Sequence, residues 1–241
     1  MKERIKNFIK GKEVLIALFF SAVVIAGILA FAVFRETITS RVTRGSIIPT
    51  DVQKGSMVKF GNYNWLALEI SDGKALLITE NNLENRQYHE KYVDITWEEC
   101  SLRQYLNTKF INKSFTNQEK ALIVETLVSN PDNQWYGIKG GNDTKDRVFL
   151  LSLAEIVEYF GDSGQFYDRP EPNSWTVIDE YSPVRKSVGT GGSSGWWWLR
   201  SPGNSSRYAA TIRDSGDIYV GGIAVDFTAL SYRPALWMSL N

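Results

Sequence analysis

Cysteine and histidine each occur once in this 241-residue chain, and the 27 basic and 27 acidic side chains leave no net charge. A lone Cys100 forbids an intrachain disulfide, and with only His89 beside it no structural zinc site of the usual Cys/His kind can be built. A single thiol suits a bacterial surface better than a disulfide-stapled secreted module. The charge balance leaves no basic footprint for nucleic acid; from Arg35 onward there are 22 basic and 25 acidic residues. The glycine-rich GTGGSSG, 189–195, lacks the Gly-Lys-Ser/Thr of a phosphate loop and leads into a strand, not a helix. His89 sits in polar RQYHEKY with no serine or cysteine motif beside it and reads as a surface residue. Internal repeats and low-complexity tracts are also missing.

What the chain does have is one long charge-free run, VLIALFFSAVVIAGILAFAVF, Val14 to Phe34. A helix of that length crosses a ~30 Å hydrocarbon layer. Lys2, Arg4, Lys6, Lys10 and Lys12 precede it against Glu3 and Glu13, which keeps the N-terminus cytoplasmic and sends the remainder across. A cleaved signal peptide is the competing reading, because Ala30-Phe31-Ala32 resembles an A-x-A site. The run exceeds the ~7–15 residues of a signal core, which favours a retained anchor. The expected organisation is a cytoplasmic tail at 1–13, a transmembrane anchor at 14–34, a polar juxtamembrane linker at 35–54 and an extracytoplasmic domain at 55–241. No lipobox-type cysteine follows the run.

Within 55–241, MVKFG and YNWLALEI read as strands, and Ser71-Asp72-Gly73 turns the chain into KALLITE as a hairpin. Three capping boxes, Thr96 with Glu99, Thr116 with Glu119 and Ser152 with Glu155, each announce a helix. Behind the first, Cys100, Leu102, Tyr105, Leu106 and Phe110 form an apolar stripe, so Cys100 reads as a small buried hydrophobe. Behind the second stand Ala121, Leu122, Val124 and Leu127; the third helix ends at Gly161. A loop rich in Gly, Pro, Ser and Asp runs to Gly195. The short strands WWWLRS, AATIRD, DIYVGGIAV and YRPALWMSL close the chain. Strands, helices, loop and strands in that order predict an α+β domain with an antiparallel sheet and two to three helices.

Strand alternation sorts the tryptophans of GWWWLRSPG. Trp197 and Leu199 share one face, Trp196, Trp198 and Arg200 the other. The first face reads as core. For the second, two uses stand open: a binding platform with Trp196 nearest the loop, or a face covered by a helix with Arg200 on a buried carboxylate. Arg233 before Pro234 reads as a structural clamp. Asn142, Asp143 and Asp146 offer hard oxygen atoms but lack EF-hand spacing, and a solvated turn is expected, with no metal.

Several of these phrases occur together in FGNYNWLALEISDGKALLITE, ITWEECSLRQYLNTKF, RVFLLSLAE, WWWLRSPG and YRPALWMSL. In order and spacing they resemble an uncharacterised bacterial domain family found on anchored or exported proteins, from about Gly55 to Leu240. The Leu-Arg-Ser-Pro-Gly and Tyr-Arg-Pro-Ala closings are similar to those of the formylglycine-generating and retroelement-diversified branches of the C-type-lectin-like fold. That likeness implies a C-type-lectin-like domain behind one transmembrane helix. The single cysteine contradicts the copper oxidase activity of the first branch. Glu171-Pro172-Asn173 matches the tripeptide of calcium-dependent lectins, but no Trp-Asn-Asp follows. In the diversified branch ligand contacts cluster between the two closing arginine motifs, here Asn204 to Phe227, which implies Arg207, Tyr208, Arg213 and Tyr219 as contacts alongside Trp196.

The function expected is a single-pass, membrane-anchored binding module for a protein or glycan at the bacterial cell envelope, without cofactor. An envelope hydrolase using Asp143, Asp168 or Glu171, and an assembly subunit of a membrane complex, are the alternatives.

Overall fold

A two-residue turn organises the N-terminal sheet. Asp72 (φ 49°) and Gly73 (φ 68°) both lie in the left-handed region, the requirement of the hairpin turn whose twist matches its strands. Glycine has a second reason here, since a Cβ at Gly73 would run into the Asn241 side chain. The computed structural model describes residues 51–189 and 195–241. Among the described residues no helix is long and apolar enough to cross a membrane. The tail 1–13, the span read at 14–34, most of the linker 35–54 and most of GTGGSSG lie outside them.

The domain is α+β. The first sheet contains β1 (Met57–Phe60), β2 (Tyr63–Ser71), β3 (Lys74–Thr79), β4 (Ile123–Val124) and, from the far end of the chain, β12 (Ala235–Ser239). Its order is β1-β2-β3-β12-β4, antiparallel throughout. A two-stranded ribbon, β5 (Thr126–Val128) with β6 (Thr144–Asp146), follows. The second sheet joins β7 (Thr176–Val177), β8 (Trp197–Pro202), β9 (Tyr208–Ile212), β10 (Ile218–Ala224) and β11 (Ser231–Tyr232) in the order β11-β8-β9-β10-β7. Only the β11–β8 pair is parallel.

YRPALWMSL reads as one strand in the sequence, yet it serves both sheets. β11 pairs with β8, β12 pairs with β3, and Arg233-Pro234 makes the crossing. The Arg233 guanidinium holds that crossing by donating to the Thr79 carbonyl (2.6 Å) and the Glu80 carbonyl (3.2 Å). It also lies over the Trp197 and Phe160 rings, at 5.4 and 5.6 Å. Burial outweighs the charge of Glu80 and brings this arginine down to about 10.

Two of the three capping boxes form. Thr116 with Glu119 opens α2 (Asn117–Leu122), and Ser152 with Glu155 opens α3 (Leu153–Phe160), each bond pair made in both directions. Gly161, at φ 111°, ends α3 with its N–H on the Val157 carbonyl. The Thr96 box does not form. Trp97–Glu99 is a single 3-10 turn, and Cys100 caps the next helix through its Sγ, which accepts the Arg103 N–H. The reason lies in Trp97, which is buried with its Nε1 donating to Asp146 (2.9 Å) and sets that turn by tertiary contact. The helix beyond, α1, runs through Ser101–Tyr105, a π-helical turn at Leu106–Phe110 and Ile111–Ser114. Cys100, Leu102, Tyr105, Leu106 and Phe110 are all buried along it. α2 stops at Leu122, earlier than its apolar spacing predicts: Val124 and Leu127 belong to strands, and Leu127 is exposed.

Asn107, in the π-helical turn, explains that irregularity. Its Oδ1 accepts from the Arg147 and Val148 N–H groups (2.9 and 3.1 Å), and its Nδ2 donates to the Arg103 and Val148 carbonyls (3.1 and 2.8 Å). The helix bends its ladder to dock this amide on the β6 exit. Beside it Asp146, fully buried, accepts from Trp97, from the Thr144 hydroxyl (2.7 Å) and from Arg103 Nε (2.7 Å).

Both faces of β8 are buried. Trp197, Trp198 and Leu199 have no exposed surface. Trp198 is covered by the 86–88 segment, with Nε1 donating to the Arg86 carbonyl (2.8 Å) and its ring 5.9 Å from Tyr88. On the same face Arg200 meets Glu155 of α3 through two hydrogen bonds, Nη1 to Oε2 and Nη2 to Oε1 (2.9 Å). Its remaining donors go to the Leu150 carbonyl (2.7 Å), the Ser129 carbonyl (2.8 Å) and Asn130 Oδ1 (3.2 Å). All five guanidinium N–H groups are thereby used.

Losing Arg200 strands Glu155 among carbonyl oxygens, so Arg200→Met is expected to destabilise the domain by about 3–5 kcal/mol in urea denaturation. Glu155→Gln keeps the helix cap and is expected to cost less. A second measurement concerns acid. Burial raises the Glu84 carboxyl, but the hydroxyls of Tyr232 and Tyr105 and the Lys113 ammonium outweigh it and bring it down to about 2. A depressed carboxyl stabilises fully above its unfolded value of about 4.3 and loses that contribution as pH falls through the folded one. Glu84→Gln should therefore flatten the fall in urea midpoint between roughly pH 4.3 and 2. Parallel pH profiles for the two proteins would contradict it.

Candidate ligand-binding surface

The strongest surface feature is assembled by a bulge. Between Tyr219 and Ile223 the β9–β10 register shifts, with Gly221 and Gly222 (φ 74°) inside the irregular stretch. The Gly221 N–H donates to the Trp175 carbonyl (3.1 Å), and a Cβ at Gly221 would press on the Trp175 ring at 3.0 Å. Glycine there lets the indole lie down over the strand. Trp175, still 49% exposed, stacks on Tyr219 with 6.4 Å between ring centroids and 16° between planes. Tyr219 meets the edge of Trp196 at 6.3 Å. Over both rings stands Arg213, 4.4 Å from the Tyr219 centroid and 5.4 Å from that of Trp196. The β9–β10 turn carries it, closed by Arg213 N–H to the Asp217 carbonyl (2.9 Å).

Arg213 forms no ion pair with any carboxylate of the described residues, and its Nε is buried without a hydrogen-bond partner. The other arginines of the second sheet spend their charge on the fold. Here a guanidinium is held by aromatic faces with donors to spare.

The loop carrying Trp175 is tied from beneath. Arg169 lies 4.8 Å from the centroids of both Trp135 and Tyr136. Its Nε donates to the Ser174 carbonyl (3.1 Å), as does its Nη2, which also reaches the Tyr136 hydroxyl (3.3 Å). Trp135 Nε1 donates to the Phe166 carbonyl (2.7 Å). Asn133, fully buried, donates to the Pro202, Gly203 and Val220 carbonyls and so locks the bulged strands to this support.

The five residues singled out as contacts fall into two groups. Trp196, Arg213 and Tyr219 share the cluster above. Arg207 and Tyr208 do not join it: Tyr208 opposes Ala224, and Tyr219 opposes Thr211 three residues along β9, so alternation sends the two tyrosines to opposite faces. Arg207 pairs with Asp94 (3.1 Å), both exposed, and lies 5.5 Å from the Tyr92 ring, which meets Tyr208 edge-on at 6.3 Å. Trp175, the most exposed member of the first group, lies in a loop with no strand or helix period. The one signal for it was composition, an indole among Pro, Asn and Ser.

The carboxylates weighed for hydrolysis fall on two loops. Asp168 and Glu171 are exposed on the 166–175 loop, while Asp143 accepts the Asn130 N–H (3.1 Å) in another. Asn142 donates to Glu98 (2.9 Å) and Asp146 is consumed in its buried network, so the three oxygen donors of 142–146 serve three tasks. Among the described residues no group of three or more His, Cys, Asp or Glu is placed to hold a metal ion. His89 is half-buried, its Nδ1 accepting the Ser101 N–H (3.3 Å).

Fold and surface together define an α+β domain that presents an aromatic and arginine cluster on a rigid, mostly antiparallel sheet. The chain belongs to the family described as a domain of unknown function (DUF6273), which matches residues 72–240. No curated protein and no solved structure matches it.

Burial pushes the Cys100 thiol up to about 12. Thiol reagents are expected to label native chain only through global opening, so the labelling rate should track the urea unfolding curve. Rapid stoichiometric labelling without denaturant would refute that burial.

Proposed function

We propose that the chain is a single-pass, membrane-anchored binding module of C-type-lectin-like architecture whose extracytoplasmic domain takes a glycan at the bacterial cell envelope. The anchor reading rests on the charge-free Val14–Phe34 run and the lysines before it. The lectin-like reading rests on the Leu-Arg-Ser-Pro-Gly and Tyr-Arg-Pro-Ala closings.

One observation carries the binding reading: a half-exposed indole stacked on Tyr219, beside an arginine with no carboxylate partner among the described residues. A flat aromatic face packs against the C–H face of a sugar ring, burying apolar area at little conformational cost. A guanidinium at its edge donates to hydroxyl or acidic groups of the same saccharide. Support by Arg169 and Asn133 holds the indole in place before ligand arrives, which lowers the ordering cost of binding. Exposed aromatic area on a polar surface is a mark of a recognition site.

The test is binding of the full chain, in mild detergent, to a glycan array that includes cell-wall fragments. Trp175→Ala and Arg213→Ala are each expected to weaken the strongest interaction about tenfold or more without moving the thermal midpoint. Tyr208→Ala, on the opposite face, should change it little. Retained affinity in both Trp175→Ala and Arg213→Ala would refute this surface, and binding to envelope proteins alone would refute the glycan.

A further inference from the structure

Among the described residues every arginine but one has a side-chain hydrogen bond or an ion pair. Arg213 is the exception. Two rings hold its guanidinium instead, Tyr219 at 4.4 Å and Trp196 at 5.4 Å. Ring faces attract the cation but carry no charge to cancel it. Its Nε is buried without a partner, whereas Nη1 and Nη2, equally unpartnered, open to solvent.

The turn that carries it is fixed. The Arg213 N–H donates to the Asp217 carbonyl and the Gly216 N–H to the Arg213 carbonyl, both at 2.9 Å. Gly216, at φ 89°, packs so closely on the Ser182 carbonyl that a Cβ there would overlap it. The acids nearest in sequence are engaged elsewhere. Asp214 Oδ1 accepts the Ser215 N–H (2.9 Å), and Asp217 Oδ2 accepts the Ser215 hydroxyl (2.6 Å). A cation is thus positioned by the fold and left without an anion.

We infer that the saccharide taken on this surface is acidic: it carries a carboxylate that seats on Nη1 and Nη2 of Arg213 while a sugar ring lies on Trp175. This rests on the glycan reading above and narrows it to sugars of the uronic acid class. The two terminal nitrogens of a guanidinium lie in one plane at the spacing of carboxylate oxygens, and that paired bond is stronger than one to a neutral hydroxyl. Tyr219 stands 4.4 Å from the guanidinium and 6.4 Å from the indole, so the fork lies within reach of a short saccharide stacked on Trp175. Charge selects among anions. Lys186 beside the turn and Arg213 are matched in number by Asp214 and Asp217, which leaves no excess of cations for a phosphate or a run of sulfates. One planar monoanion on one fork is what the arrangement fits.

The experiment is calorimetric titration of the full chain, in mild detergent, with trisaccharides of glucuronate, galacturonate or mannuronate. Each is paired with its methyl ester, which keeps the ring and removes the charge, and galactose 6-sulfate serves as a second anion. At least one uronate is expected to bind about tenfold more tightly than its ester, by the strength of charge-assisted hydrogen bonds. That preference should shrink as salt is raised. Arg213→Gln should abolish it, leave the ester's affinity unchanged and leave the thermal midpoint in place, because the side chain it replaces makes no hydrogen bond in the fold. Trp175→Ala should weaken acid and ester alike. Equal binding of acid and ester, both weakened by Trp175→Ala, would overturn the acidic ligand and leave the glycan reading standing. A preference that survives Arg213→Gln, or tighter binding of the sulfate, would also overturn it. Failure of every saccharide, acidic or neutral, would remove both readings together.

Discussion

Arg200 is the side chain on which the domain closes. Taking a guanidinium and a carboxylate out of water costs several kcal/mol per ion, and their attraction compensates only where every donor finds an acceptor. Arg200 meets that condition through Glu155, the Leu150 and Ser129 carbonyls and Asn130. Its own carbonyl accepts the Tyr88 hydroxyl (2.9 Å), and its N–H donates to the Leu151 carbonyl (3.0 Å). Four chain segments, the farthest 112 residues from it in sequence, are therefore positioned by one residue of β8. Glu155 is used twice, since the same carboxylate caps α3. Helix start and sheet position are thus a single constraint.

With no intrachain disulfide available, the same device recurs elsewhere. Arg233 ties the crossing between sheets to the end of β3, Asn107 and Asp146 dock α1 on the ribbon, and Asn133 pins the bulged strands. Asp179 and Arg185 do so in the long loop, both side chains fully buried and the pair 2.7 Å apart. Desolvation there works against the Asp179 charge, but Arg185 and Ser163 outweigh it and hold the carboxyl below its usual value. Arg233, Asn107, Asn133 and Arg185 face main-chain groups, whereas Asp146 is matched by side-chain donors. The result is a cross-linked scaffold on which the 166–175 loop exposes Tyr167 and Trp175.

Much of the local architecture was legible in the residues. The Asp-Gly hairpin, the Thr116 and Ser152 boxes, the Gly161 cap and the buried stripe from Cys100 to Phe110 depend on interactions within a few residues, and they form as the pattern implies. The Thr96 box has equally good letters and fails, because Trp97 is drawn down onto Asp146, 49 residues away. Leu127 fits a helical stripe by spacing, but the chain leaves the helix at Leu122 to pair with β12 and then β6. The surface cluster was half visible. Trp196, Arg213 and Tyr219 stand in or next to strands whose ends are marked, whereas Trp175 reaches Tyr219 only because β7 docks on β10 and Gly221 leaves room.

From composition and order alone the chain settled its α+β class, the absence of any disulfide, and the turns and caps whose energetics are local. Tertiary structure decided the rest: that both faces of the Trp-Trp-Leu-Arg strand are buried, that the closing YRPALWMSL segment divides between two sheets, and which aromatics share a face. The division follows from range. A hydrogen bond within one turn of helix is written in adjacent letters, but the face a strand buries and the neighbour a strand takes depend on desolvation and register across the whole chain.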